Sequence, residues 1–261
     1  MVMEDLITDL FCRIDDIMKD TPKHSQAKLH PSEIVTLAVL FAIKGVGQRA
    51  FYRWLGGNWR HLFPNLPERT RLFRLFTTHR GWTEHFLAEP TIFGVADTYG
   101  VELIHPIREG RSQEQIGRKG LSNRRWIVGG KLGFVLNRHG RVCAFASGTA
   151  NTHDSHFRSM IQSFDGRMIV LTDSGFHGTQ GDPANMKVCK PRTWGCRMLI
   201  ETAWSMLTVC CDIKRMRHRV RSFFNMHLAW TVAAFNLMLD RQAGHTHDDG
   251  RPVFSIAEYV F

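Results

Sequence analysis

Apolar residues recur at helical spacing through residues 1–89. Leu6, Leu10, Ile14 and Ile17 fall on one face of an amphipathic helix. A second helix is predicted to open at HPSE, with Pro31 in its first turn and Ile34, Leu37, Ala38 and Phe41 on one face, and to end at KGVG (44–47). Short helices follow through RAFYRWLGGNWRHLFPNLPERTRLFRLFTTHRGW, where arginines alternate with tryptophan and phenylalanine. From residue 91 the period changes. TIFGVADTYGVEL, RRWIVGGKLGFVLN and RVCAFASGT predict strands, the last two joined by a turn at Arg138-His139-Gly140. A helix over THDSHFRSMIQSF, strands at RMIVLTD and MKVCK, a long helix from about Arg197 to Ile213 and an apolar helix over 223–241 complete the order. This alternation predicts an α/β fold with a mixed five-stranded sheet. The expected organisation is a helical region over 1–89, an α/β domain over 90–243 and a polar tail over 244–261. The tail's GHTHDDGR suits either a metal ligand set or a mobile terminus.

Composition narrows the class. Apolar residues make up 43% and aromatics 11%, which a chain of 261 residues can turn into a sizeable core. The net charge of +10 and pI near 9.7 suit a protein that works against a polyanion, or one whose basic surface has no specific partner. The six cysteines, at 12, 143, 189, 196, 210 and 211, have no zinc-ligand spacing and read as core residues in a reducing compartment. The acidic, amphipathic start is unlike a signal peptide. The longest apolar run, 223–239, is broken by Asn225, His227, Thr231 and Asn236 and falls short of the ~20 residues that a bilayer needs. A soluble, cytoplasmic protein with no membrane contact is expected.

Two apolar strands run directly into an acid. Ile169, Val170, Leu171 and Thr172 precede Asp173, and Ile92, Phe93, Val95 and Ala96 precede Asp97. Ligands of open α/β sheets gather at strand carboxyl ends. If the two strands are neighbours, the carboxylates lie close and favour a hard cation such as Mg²⁺ or Mn²⁺ between them; turn-forming aspartates are the other reading. On the following helix, Arg197, Glu201, Ser205, Thr208 and Asp212 form one polar stripe, while Leu199, Ile200, Ala203, Met206, Leu207 and Cys210 face the core. Glu201 then either borders the acids or belongs to a solvated face. Three carboxylates around two divalent ions suit in-line displacement at phosphorus. The basic runs KPR (190–192) and KRMRHRVR (214–221) offer a phosphate grip.

These segments, in this order, resemble the DDE transposases of bacterial insertion sequences, whose catalytic domain is ribonuclease H-like. GVADTYGVEL is similar to the segment of the family's first aspartate, and LTDSGFHG to that of its second. WIVGGKLGFVLNRHGRVCAFASGTANTHDSHF resembles the stretch between them, with Lys131, Gly140, His153 and Asp154 at matching places. WGCRMLIETAWSMLT resembles the Tyr-x2-Arg-x3-Glu-x6-Lys signature, with Arg197 and Glu201 in place, Trp194 for the tyrosine and Thr208 for the lysine.

The resemblance implies metal-dependent cleavage at element ends and strand transfer into target DNA. Asp97, Asp173 and Glu201 would hold two Mg²⁺ ions, with Mn²⁺ as a substitute. It implies double-stranded DNA contacts at Lys131, Lys190, Arg192, Trp194, Arg197, Lys214, Arg215, Arg217 and Arg219. In the N-terminal region, Arg53, Arg71 and Arg74, with Arg49, Arg60, Arg69, Trp54 and Trp59 nearby, either find the terminal repeats or cap the catalytic domain. His153 and Asp154 are accessory candidates, as helix caps or at the metal. Synapsis of two ends implies a homodimer or larger assembly on the nucleoid. A nuclease that hydrolyses without joining, and a non-catalytic DNA-binding protein, are the alternative readings.

Overall fold

The computed structural model describes residues 3–111, 116–122, 125–179, 181–189, 196–216, 218, 220–242 and 256. Four helices come first: α1 (Met3–Ile17), α2 (Pro31–Lys44), α3 (Gln48–Asn58) and α4 (Arg69–Thr78). The start of α2 is set by a reciprocal cap. His30 Nδ1 accepts from the Ser32 amide, and the His30 amide donates to Glu33 Oε2 at 2.6 Å. Gly45 ends the helix in the left-handed conformation at φ 60°, which a side chain would strain.

The sheet contains β1 (Phe93–Ile104), β2 (Arg118–Ser122), β3 (Arg125–Asn137), β4 (Val142–Thr149), β5 (Ile169–Thr172) and β6 (Met186–Val188), with α5 (Arg158–Gln162) before β5. α6 (Cys196–Cys210) and α7 (Arg221–Gln242) close the fold. β1 lies at the centre. On one side it pairs antiparallel with β3, and on the other it pairs parallel with β5, which is itself parallel to β6. β2 and β4 both pair with β3 and share the edge that β1 leaves free, so six strands make a sheet five positions wide. The protein is therefore α/β, with N-terminal helices followed by a mixed sheet and its helices.

Apolar residues cover both faces of the sheet. Val95, Val101, Leu132, Phe134 and Leu136 belong to a large cluster with α6, α7 and the N-terminal helices. Ala96, Val135 and Val170 pack with Phe157, Met160, Ile161 and Phe176 on the other face. The core runs without a break across residue 89, because α7 packs against α2 as well as β4. Every residue of α7 from Met226 to Leu239 is buried. Of the polar groups that interrupt its apolar run, Thr231 and Asn236 are bonded within the core, Thr231 Oγ1 donating to the His227 carbonyl at 2.9 Å. Asn236 accepts from the Val142 amide and donates to the Phe86 and Val142 carbonyls, each at 2.8 Å, and Trp230 Nε1 donates to the Phe76 carbonyl at 3.0 Å. Among the described residues no single helix is long and apolar enough to cross a membrane.

Three elements differ from the sequence expectation. β2 is additional to the five predicted strands. The helix predicted over THDSHFRSMIQSF is a 3₁₀ turn (Asp154–Phe157) followed by the five-residue α5. α6 stops at Cys210 rather than Ile213, where Asp212 takes a left-handed backbone at φ 48° that no helix can continue.

Candidate active site

The parallel register sets Val95 opposite Leu171. Asp97 and Asp173 each lie two residues beyond this last parallel pair, so they fall near the same level of adjoining chain segments. The sequence pattern puts both acids at strand ends but also puts Asp97 within the predicted strand TIFGVADTYGVEL, and for Asp97 the second reading holds. Asp173 does follow the end of β5, but Asp97 lies inside β1, which continues to Ile104 because β3 pairs with it along its whole length. The cleft thus opens where β1 outlasts its parallel neighbour.

Local hydrogen bonds hold each acid. Asp97 Oδ1 accepts from the Thr98 amide at 2.7 Å. Asp173 Oδ1 accepts from the Gly175 amide at 2.9 Å and so caps the 3₁₀ turn Ser174–Phe176. Asp154 joins them from the far side. Its Oδ1 accepts from Thr98 Oγ1 at 2.8 Å and from Lys131 Nζ at 2.9 Å, and both Lys131 and Asp154 are mostly buried. A Cβ built on Gly175 would stand 2.7 Å from Asp154 Oδ2 and 3.1 Å from Asp173 Oδ1. Gly175 therefore separates two carboxylates without filling the space between them. His153 does something different from its neighbour: its Nδ1 accepts from the Ser155 amide and caps the turn.

α6 brings the third acid. Ile200, Ala203, Trp204 and Leu207 are buried, while Glu201 and Ser205 are exposed. Trp204 stacks on Phe134, centroids 4.3 Å apart and planes at 14°, and also meets Tyr99 at 5.0 Å. Phe134 is the cross-strand partner of Asp97. The helix consequently lies over the sheet face that carries Asp97, one turn from Glu201. A cleft of about 580 Å³ is lined by Asp97, Asp154, Asp173 and Glu201 together with Lys131 and Lys214. Lys214 also holds its Nζ 5.1 Å from the Tyr99 ring centroid. Thr208 lines the same wall.

The donors are hard oxygens, as Mg²⁺ and Mn²⁺ require. They surround the cleft rather than closing on a point: among the described residues no three His, Cys, Asp or Glu side chains are grouped closely enough to enclose one ion. A magnesium ion commonly takes one or two carboxylates and completes its shell with water and substrate phosphate, and this open arrangement fits that mode.

The other predicted contacts separate into two groups. Lys190, Arg192, Trp194, Arg217 and Arg219 lie outside the described residues, as do the side chains of Arg197 and Arg215 and the tail motif GHTHDDGR. Arg53, Arg71 and Arg74 are exposed on α3 and α4, and none of them lines the cleft. Trp54 and Trp59 are partly buried against the helical core, centroids 6.0 Å apart, and pack rather than project. Sequence reasoning missed Thr98, Tyr99 and Trp204. Tyr99 follows Asp97 by two, on the same strand face, and Trp204 follows Glu201 by three; both spacings could have found them.

Comparison with known proteins returns no match: no family model, no curated protein and no solved structure is significantly similar to the chain.

Proposed function

We propose that the chain is a divalent-metal-dependent enzyme that cuts and joins DNA, a transposase of the DDE kind with a ribonuclease H-like catalytic domain. The observation that carries this reading is the placement of Asp97 within β1 and of Asp173 just past the end of its parallel neighbour β5, in one cleft with Glu201 from the helix that follows the sheet. The order β4-β3-β1-β5-β6, antiparallel on one side of β1 and parallel on the other, supports the ribonuclease H-like assignment.

Asp97, Asp173 and Glu201 would hold Mg²⁺ or Mn²⁺, which when bound supplies charge stabilisation to the attacking and leaving oxygens at phosphorus. The protein's own groups do the rest. Lys131 and Lys214 place positive charge on the cleft wall, where a phosphodiester sits. Asp154 takes up part of the Lys131 charge and fixes its direction. In sequence the basic run over 214–221 follows the helix of Glu201, and its first residue, Lys214, lines the cleft. Two DNA ends would be brought together by a homodimer or larger assembly, in the bacterial cytoplasm at the nucleoid.

The test uses the DNA that flanks the gene as substrate, with Mg²⁺ present. Hydrolysis at the ends of an inverted repeat, followed by joining of the freed 3′-hydroxyl to a second DNA, is the expected result. Hydrolysis without joined product would assign a nuclease. Binding without hydrolysis in either metal would assign a non-catalytic DNA-binding protein and remove the enzyme reading.

A further inference from the structure

The β2–β3 hairpin presents an apolar and cationic face at the lip of the cleft. Leu121 and Trp126 are directly opposed in the antiparallel register and remain in solvent, at 55% and 60% exposure. Lys119, two positions before Leu121 and so on its face, holds its Nζ 5.5 Å from the Trp126 ring centroid. Arg118 and Arg125 add exposed positive charge to the same pair of strands, with Arg125 ion-paired to Glu102 at 3.0 Å. The opposite side of the hairpin is fixed to the sheet. β1 carries Gly100 where Ser122 crosses it, and a Cβ there would stand 2.3 Å from Ser122 Oγ. Leu121 and Ser122 themselves line the cleft beside the carboxylates.

Charge and continuity with the cleft define what this face can receive. It is cationic, so its ligand is anionic; it borders the carboxylates, so its ligand is continuous with whatever reacts there. Its largest group is a flat indole. Inside a duplex the base faces are covered by stacking, and only a terminal or unstacked base offers one to a protein side chain. We propose that Leu121 and Trp126, with Lys119, stack on an unpaired DNA base adjoining the phosphate in the cleft, so that the preferred substrate has a frayed or single-stranded end. The inference rests on the DNA reading of the cleft and names the part of the substrate next to the reacting bond. An indole stack tolerates any base, because every base has a π face, and the neighbouring ammonium adds attraction to the phosphate.

The experiment compares binding of the full chain to a blunt duplex and to the same duplex with a short single-stranded overhang, at one salt concentration. The wild type should prefer the overhang. Trp126→Ala should reduce that preference by about 5- to 50-fold, and Trp126→Phe should keep most of it. 5-Iodouracil placed in the overhang should crosslink to Trp126 on irradiation. The side chain is exposed, and circular dichroism checks that the variants are folded. An unchanged preference in Trp126→Ala overturns the inference while leaving the DNA reading intact. Failure of the wild type to bind either duplex overturns both. An unchanged preference with a smaller sedimentation coefficient in Trp126→Ala would assign the face to a second copy of the chain, and also overturns it.

Discussion

Trp204 of α6 lies flat on Phe134 of β3, centroids 4.3 Å apart, and Phe134 is the residue paired with Asp97 across the sheet. One aromatic contact thus sets the height of the helix that carries Glu201 above the strand that carries Asp97. The site is held by the core beneath it, and the most buried face of α6 determines where its polar face can act.

Trp204→Ala should cost about 3–5 kcal/mol of stability, because it removes a large buried ring whose neighbours cannot close in fully. Trp204→Phe should cost less, about 1–2 kcal/mol, since the indole Nε1 has no hydrogen-bond partner among the described residues and only volume is lost. Urea unfolding of both variants checks the difference. The alanine variant should also lose metal-dependent cleavage under conditions where it remains folded, since Glu201 is then no longer held at its height.

Replacing Asp97 or Asp173 with asparagine, or Glu201 with glutamine, should each lower Mg²⁺-dependent cleavage by at least ~10²-fold, because a carbonyl oxygen lacks the charge that holds a hard cation. The same changes keep side-chain size and shape, so thermal stability without metal should stay level. Addition of Mn²⁺ should raise the melting temperature of the wild type more than that of the variants. A variant at Asp97 or Asp173 that cuts DNA at the wild-type rate would refute the assignment.

The sequence makes the acids visible but not their meeting. An apolar run ending in aspartate can be read at both 97 and 173, yet their level placement depends on which strands pair, and that is decided by chain segments far apart. The interior position of Asp97 is legible in the strand pattern of TIFGVADTYGVEL; the reading that places it at a strand's carboxyl end fails because β1 continues beside β3. Glu201 sits on a stripe that looks like any solvated helix face, and resemblance to a family singles it out where the helical pattern does not. The link from Thr98 and Lys131 to Asp154 spans 56 and 23 residues and leaves no local periodicity. β2 was missed because RKGLS offers one apolar side chain and no β-branched one. α2 is legible throughout, since spacing, caps and the closing glycine agree, whereas in α1 the spacing holds for Leu6, Leu10 and Ile14 but Ile17 is exposed and Ile7 is buried in its stead.

Acid should destabilise the protein through a histidine in its core. His227 of α7 is buried against the Phe41 ring at 4.6 Å, and its Nδ1 meets His218 Nε2 at 2.8 Å. Burial, reinforced by the His218 charge, pushes its pKa down from 6.5 to about 3. The unfolded chain takes up this proton near pH 6.5 while the folded chain does not, so the stabilisation is complete above 6.5 and is lost as pH falls towards 3. Between those limits the slope from one such group is about 1.4 kcal/mol per pH unit. Urea midpoints measured from pH 7 to pH 5 should show it, above the range where most carboxylates titrate. His227→Phe keeps a ring beside Phe41 and should reduce the slope in that window, the remainder belonging to His218, whose pKa burial also lowers.

Gly175→Ala should separate stability from activity. The backbone at 175 is not in the left-handed region, so an alanine introduces no strain there. Its Cβ would nevertheless fall 2.7 Å from Asp154 Oδ2 and 3.1 Å from Asp173 Oδ1. Both are the ends of side chains and can rotate away, which keeps the cost in folding within about 1 kcal/mol. The movement has consequences in the cleft, because Asp173 leaves the level of Asp97 and Asp154 strains its bonds to Thr98 and Lys131. Displacement of a reacting group by about 1 Å is enough to cost ~10²-fold in rate. Gly175→Ala should therefore melt close to the wild type and cleave DNA ~10²-fold more slowly, with its affinity for DNA retained. Wild-type cleavage by this variant would mean that Asp154 and Asp173 need no fixed separation. The carboxylate arrangement would then lose its claim to be the reacting centre.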